Sequence, residues 1–120
     1  MVTIAVSGYF DPLHVGHLEM LEQAKSLGDY LVVIVNNDIQ AELKKGKSFM
    51  NEFDRVKIVE SIKWVNQVFL SIDEDNTVRK SLKSIQPDIF ANGGDRFNDE
   101  YSNEYDICKK YNIKLIDGLG

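Results

Sequence analysis

The hexapeptide Tyr30-Leu31-Val32-Val33-Ile34-Val35 contains no charged or amide side chain, and four of its six residues are β-branched. A strand with one wet face alternates apolar and polar residues. One that is apolar throughout is covered on both faces, as the strands of parallel sheets are. The preceding sequence supplies the rest of such a unit. Val2-Thr3-Ile4-Ala5-Val6 reads as a first buried strand that ends in a loop at Ser7-Gly8. Val15, Leu18, Leu21 and Ala24 then recur at helical spacing, with Gly28 just beyond Leu27 as a helix stop. Strand, helix and strand in that order make a βαβ unit with a right-handed crossover.

A polar stretch from Asn36 to Met50 reads as a loop, and Asn51 is placed to cap a helix whose buried stripe is Phe53, Val56, Val59 and Ile62. Val68-Phe69-Leu70 is a third strand. A helix starting at Asn76 or Thr77 carries Val78, Leu82 and Ile85 and stops before Pro87. Asp88-Ile89-Phe90-Ala91 is a fourth strand running into Asn92-Gly93-Gly94-Asp95, followed by a helix from Ser102 to Lys110 and a strand from Ile113 to Ile116. The alternation predicts a Rossmann-like α/β fold: a three-layer, doubly wound parallel sheet of about five strands, in one domain spanning residues 1–120.

No run approaches the roughly 20 apolar residues of a membrane span, and no cationic leader precedes an apolar stretch, so neither a membrane nor a secretory signal is expected. The one cysteine, Cys108, has no internal disulfide partner, which fits a reducing, cytoplasmic setting. Basic residues number 14 against 19 acidic, a formal charge of −5, which is the wrong sign for a nucleic-acid binder. Positive charge nevertheless gathers at Lys44, Lys45 and Lys47, and again at Arg55 and Lys57, which suits a local phosphate site.

In doubly wound sheets, ligands bind beyond the carboxyl ends of the strands, where strand order reverses. Two loops at strand ends combine glycine with ionisable residues: Ser7 to His17 and Asn92 to Arg96. If a helix begins near Val15, His14 and His17 sit together at its positive end around Gly16, placed to donate to a phosphate. Zinc is a competing reading, but it needs further ligands and the sequence holds no other histidine. Taken alone, H-x-G-H also fits two helix-cap histidines with no chemistry.

The full segment Gly8-Tyr9-Phe10-Asp11-Pro12-Leu13-His14-Val15-Gly16-His17 resembles the G-x-F-D-x-x-H-x-G-H signature of the cytidylyltransferase-like nucleotidyltransferases, matching all six specified positions. Leu27-Gly28-Asp29, the lysine-bearing loop, Asp54-Arg55 and Gly93-Gly94-Asp95 follow in family order. The resemblance implies attack by an acceptor phosphate on the α-phosphorus of CTP or ATP, with release of pyrophosphate and with Mg²⁺ bound to the triphosphate. It implies that His14 and His17 stabilise the α-phosphate, and that Gly8, Tyr9, Phe10, Asp11 and Gly16 line the phosphates. Lys44, Lys45 or Lys47 would reach the phosphates, with spacing leaving the choice open. The resemblance also implies that Arg55 is a candidate phosphate ligand, that Gly93, Gly94 and Asp95 would face the nucleotide, Asp95 or else its metal, and that Arg96 would help with the acceptor. A homodimer is implied too.

Family members carry a Ser/Thr-rich motif and a final helix where this sequence reaches Asp117-Gly118-Leu119-Gly120, so a domain lacking that segment is expected. The first motif and Lys25 to Val33 resemble glycerol-3-phosphate cytidylyltransferases. Asp73 to Thr77 and Pro87 to Asp95 look more like heptose-1-phosphate adenylyltransferases. Transfer to a phosphorylated sugar or polyol is therefore expected, with the base left open. The alternative is a catalytically degenerate nucleotide-binding module of the same fold.

Overall fold

A computed structural model describes residues 1–46, 48–93 and 104–119. Five strands, β1 (Thr3–Gly8), β2 (Tyr30–Val35), β3 (Gln67–Leu70), β4 (Ile89–Gly93) and β5 (Lys114–Leu119), form one sheet in the order β3-β2-β1-β4-β5. Every adjacent pair is parallel. Five helices accompany them: α1 (Val15–Lys25), α2 (Asp38–Lys45), α3 (Glu52–Glu60), α4 (Arg79–Ile85) and α5 (Tyr105–Lys110). Among the described residues no helix is long and apolar enough to cross a membrane.

The period-two alternation of the strands divides the core. Ile4, Val6, Leu31, Val33 and Val35 face one side, with Met20, Leu21 and Ala24 of α1 and Val59 of α3. Ala5, Ile34 and Phe90 face the other, with Leu82 of α4 and Cys108 of α5. This is the expected three-layer, doubly wound arrangement. Strand order reverses between β1 and β4, which opens a crevice at their carboxyl ends.

Several local expectations are corrected. The stretch from Asn36 to Met50 is not all loop, because α2 occupies its centre. Asn37 accepts from the Gln40 amide and the Gln40 side chain accepts from the Asn37 amide, a reciprocal cap. On α1, Val15 is exposed and the inward face begins further along. That helix ends at Lys25 with Ser26 as its cap, so Gly28 is not its stop. Gly28 meets a different need: a Cβ there would lie 2.4 Å from Ile4 Cδ1 and 2.8 Å from the Val2 carbonyl oxygen. The fourth helix begins at Arg79, not at Asn76 or Thr77, and the last strand runs on to Leu119.

The largest correction concerns α3. Asn51 caps it as expected, its side chain accepting from the Asp54 amide at 2.9 Å. Phe53, however, is 71% exposed, and Arg55 takes the inward position with 0% exposure. The guanidinium donates to the carbonyls of Met50 (3.0 Å), Tyr9 (2.9 Å) and Asn36 (2.5 Å), and to Asp38 Oδ1 (2.7 Å). Burying a charge is costly unless it is paired and bonded throughout. Here the bonds join the exits of β1 and β2 to the starts of α2 and α3. Arg55→Met is therefore expected to lower the unfolding free energy by about 3 kcal/mol, because it leaves three carbonyls and a carboxylate without this partner. Arg55→Lys should recover only part of that, since an ammonium cannot reproduce the planar fork. Urea midpoints compare the three proteins, and an unchanged midpoint in Arg55→Met would contradict the role of strut.

Candidate functional site

The chain leaves β1 at Gly8 and enters α1 at Val15. Phe10 turns it through a left-handed φ of 51°, with its side chain buried and its ring edge-on to His17 at 4.9 Å. His14 then caps the helix. Its Nδ1 accepts from the Gly16 amide at 3.1 Å, and His17 Nδ1 accepts from the His14 amide at 3.1 Å. The rings stack with centroids 3.8 Å apart. Gly16 permits this, because a Cβ there would lie 2.9 Å from His14 Cε1.

The cap fixes the chemistry of both rings. A nitrogen that accepts from an amide carries no proton, so each neutral imidazole holds its proton on Nε2. Burial first, and the neighbouring His14 second, push the pKa of His17 below its ordinary 6.5. Two Nε2–H donors thus stand at a helix N-terminus, where the backbone dipole already favours an anion.

These rings line a cleft of about 390 Å³ with Gly8, Tyr9, Phe10, Asp11 and Lys44. A larger cavity of about 710 Å³ adjoins it, walled by Asn36, Leu43, Asp75, Asn76, Val78 and Glu104. Ser7, Gly8, Tyr9 and Lys44 belong to both. The Lys44 ammonium lies 4.5 Å from the Tyr9 ring centroid, so this cation–π pair stands where the two spaces meet. Burial is the main cause that raises the Tyr9 pKa above its ordinary 10.0.

Asp11 reaches the cleft but turns its carboxylate to the chain. Its two oxygens accept from the amides of Phe49 and Met50, both at 2.7 Å. It pins the segment that follows the lysines. Arg55, expected as a phosphate ligand, is buried with its guanidinium on three carbonyls and the Asp38 carboxylate, as described above. Lys45 closes α2 and Gly93 closes β4. Lys47, Gly94, Asp95 and Arg96 lie outside the described residues. Sequence reading missed Asn36, Asn37, Gln40, Asp75, Asn76 and Glu104. The Asn37-to-Gln40 spacing carried a legible signal, that of a helix cap, and Asp75 and Asn76 lie in the stretch Asp73 to Thr77 that resembles heptose-1-phosphate adenylyltransferases.

Among the described residues, no group of three or more His, Cys, Asp or Glu side chains is placed to hold a metal ion. The donor set in the histidine cleft is imidazole and ammonium. It suits an anion, with any Mg²⁺ held chiefly by the phosphates of that anion.

The cytidylyltransferase-like family model matches residues 5–116. FAD synthase of Aciduliprofundum boonei is 40% identical over 115 residues, covering 96% of this chain and 75% of that protein. FAD synthase of Ferroglobus placidus is 41% identical over 100 residues, covering 83% of this chain and 64% of that protein. The bifunctional protein HldE of a Nitratiruptor species is 37% identical over 116 residues, covering 95% of this chain but 24% of that protein. A crystal structure of the lipopolysaccharide core biosynthesis protein from Thermoplasma volcanium superposes with a TM-score of 0.80 at 29% identity, covering 98% of this chain and 95% of that one. With the histidine-capped helix at the reversal of strand order, these matches place the chain in the cytidylyltransferase-like family of nucleotidyltransferases.

Proposed function

We propose that this chain transfers AMP from ATP to the phosphate of a phosphorylated, polyol-bearing small molecule, with FMN the foremost acceptor and FAD the product. The observation that carries the reading is the stacked, capped pair His14 and His17, whose Nε2–H donors share a trough with Lys44 and a larger cavity. The relatives named FAD synthase support the acceptor, because FAD consists of FMN joined to AMP. FMN carries its phosphate on a ribityl chain, whereas the sequence reading expected a phosphorylated sugar or polyol.

An oxygen of the acceptor phosphate attacks the α-phosphorus in line, and the bond to the β-phosphate oxygen breaks to release pyrophosphate. His14 and His17 donate to an α-phosphate oxygen as its charge grows, and Lys44 steadies the phosphates between the two spaces. Mg²⁺ supplied with the triphosphate offsets its charge. No covalent enzyme intermediate is needed, so catalysis comes from positioning and preorganised donors. The homodimer belongs to the same reading, supported by the exposed Phe49 and Phe53 side chains, and sedimentation velocity tests it.

Pyrophosphate release with ATP or CTP against FMN and sugar phosphates is the direct assay. Turnover is expected with ATP and FMN, and its absence with every pair would count against transfer. His14→Asn and His17→Gln keep the two capping positions filled by good capping residues while removing the imidazoles. Each is expected to lower kcat by about 10²- to 10³-fold with little loss of stability. Full activity in either would remove the histidines from the mechanism.

Protonating His17 Nδ1 would break its bond from the His14 amide. The folded-state pKa lies below 6.5, so the unfolded chain binds the proton more readily. The stability from this group is present above pH 6.5 and is lost as pH falls from there through the folded-state value. Urea midpoints between pH 5 and 8 should show this fall, and His17→Gln should flatten it. Identical profiles would refute the assignment.

A further inference from the structure

Gln40 is wholly buried, although it lies on the same helix as the exposed Lys44. Its Oε1 accepts from the Asn37 amide at 3.0 Å. Its Nε2 donates to the carbonyls of Asp75 (2.8 Å) and Thr77 (2.7 Å). Asn37 acts beside it, with Nδ2 donating to the carbonyls of Ser71 (2.9 Å) and Asp73 (2.7 Å). The segment between β3 and α4 therefore hangs from two amide side chains at the start of α2. Its other end is tied to α4, where the Asp73 carboxylate accepts from the amides of Lys80 (2.7 Å) and Ser81 (3.0 Å). Only an amide side chain both accepts once and donates twice here, since a carboxylate lacks the protons and a hydrocarbon lacks both.

The suspended segment brings Asp75 and Asn76 to the larger cavity. Lys44, one turn beyond Gln40, faces that cavity and the histidine cleft alike. The nucleotide side has separate ties: the His14–His17 cap and the grip of Asp11 on Phe49 and Met50.

We propose that Gln40 is a positioning residue for the acceptor: by holding the Asp75 and Thr77 carbonyls it sets the Asp75–Asn76 wall relative to Lys44. The inference rests on the reading that the larger cavity receives the acceptor while the histidine cleft receives the triphosphate. The two Michaelis constants therefore respond separately to this side chain.

Steady-state kinetics with ATP and FMN on the wild type, Gln40→Met and Gln40→Glu test it, together with hydrogen exchange of the amides over 74–77. Methionine matches glutamine in size and keeps the cap that Asn37 makes on the backbone amide, but it cannot donate. Glutamate keeps the acceptor for the Asn37 amide and loses the amide donors. The expected result is a rise in KM for FMN of about 10- to 100-fold, the scale of a misplacement near 1 Å, with KM for ATP changed by less than about twofold. Exchange over 74–77 should quicken in the same proteins. An unchanged KM for FMN, or equal rises for both substrates, overturns the proposal. If the wild type releases no pyrophosphate with FMN, it is the transfer reading that fails. Exchange then decides the positioning role, which is overturned if neither variant exchanges faster than the wild type. Either variant suffices, so a methionine protein that does not fold leaves the glutamate protein to decide.

Discussion

One buried guanidinium holds the carboxyl edge of the sheet in register with the helices that serve it. Arg55 joins Tyr9 at the exit of β1, Asn36 at the exit of β2, Asp38 in α2 and Met50 before α3. Two of the carbonyls it meets, those of Tyr9 and Asn36, belong to chain that has just left a strand, and the third, that of Met50, lies just before a helix. A side chain with several donors in a rigid plane meets such acceptors together, and the charge strengthens every bond. The position of Tyr9, and through it the Lys44–Tyr9 pair, follows from that strut.

The same logic recurs at smaller scale. Three helix starts are capped by side chains that also do something else. His14 and His17 cap α1 and, by accepting through Nδ1, keep their protons on Nε2 in rings that line the cleft. Asn37 and Gln40 cap α2 while gripping the segment before α4. Asp73 binds the first amides of α4 from within that segment. Helix ends need partners for their orphan amides whatever else the protein does. Here the partners organise two adjoining spaces, one suited to a polyanion and one to a bulkier group.

What the sequence revealed was what is local. The placement of His14 and His17 depends on relations two and three residues apart, so the motif and the helix start at Val15 were enough. The strands were legible because each is short, apolar and bounded by turn residues. By contrast, α2 was missed in its polar stretch: Ile39 and Leu43 stand at helical spacing but are exposed, and the face that packs is Gln40 and Ala41, a polar and a small residue that make no apolar stripe. Hydropathy favoured Phe53 over Arg55 for the inside of α3. The reversal depends on carbonyls of Tyr9 and Asn36, 46 and 19 residues away, which no local pattern contains. Gln40 reaches Asp75 and Thr77 across 35 and 37 residues, and that link was equally invisible.

The claim on which the functional reading turns is that both imidazoles present Nε2–H to an incoming triphosphate. Nitrogen-15 NMR of the histidine side chains, followed through a titration with ATP and Mg²⁺, reads it directly. The expected spectrum of the free protein at pH 7.5 shows the proton on Nε2 and a bare Nδ1 in both rings, with ATP shifting both Nε2 resonances. A proton on Nδ1 in either ring, or rings that ignore saturating ATP, would contradict the assignment of this cleft to the triphosphate.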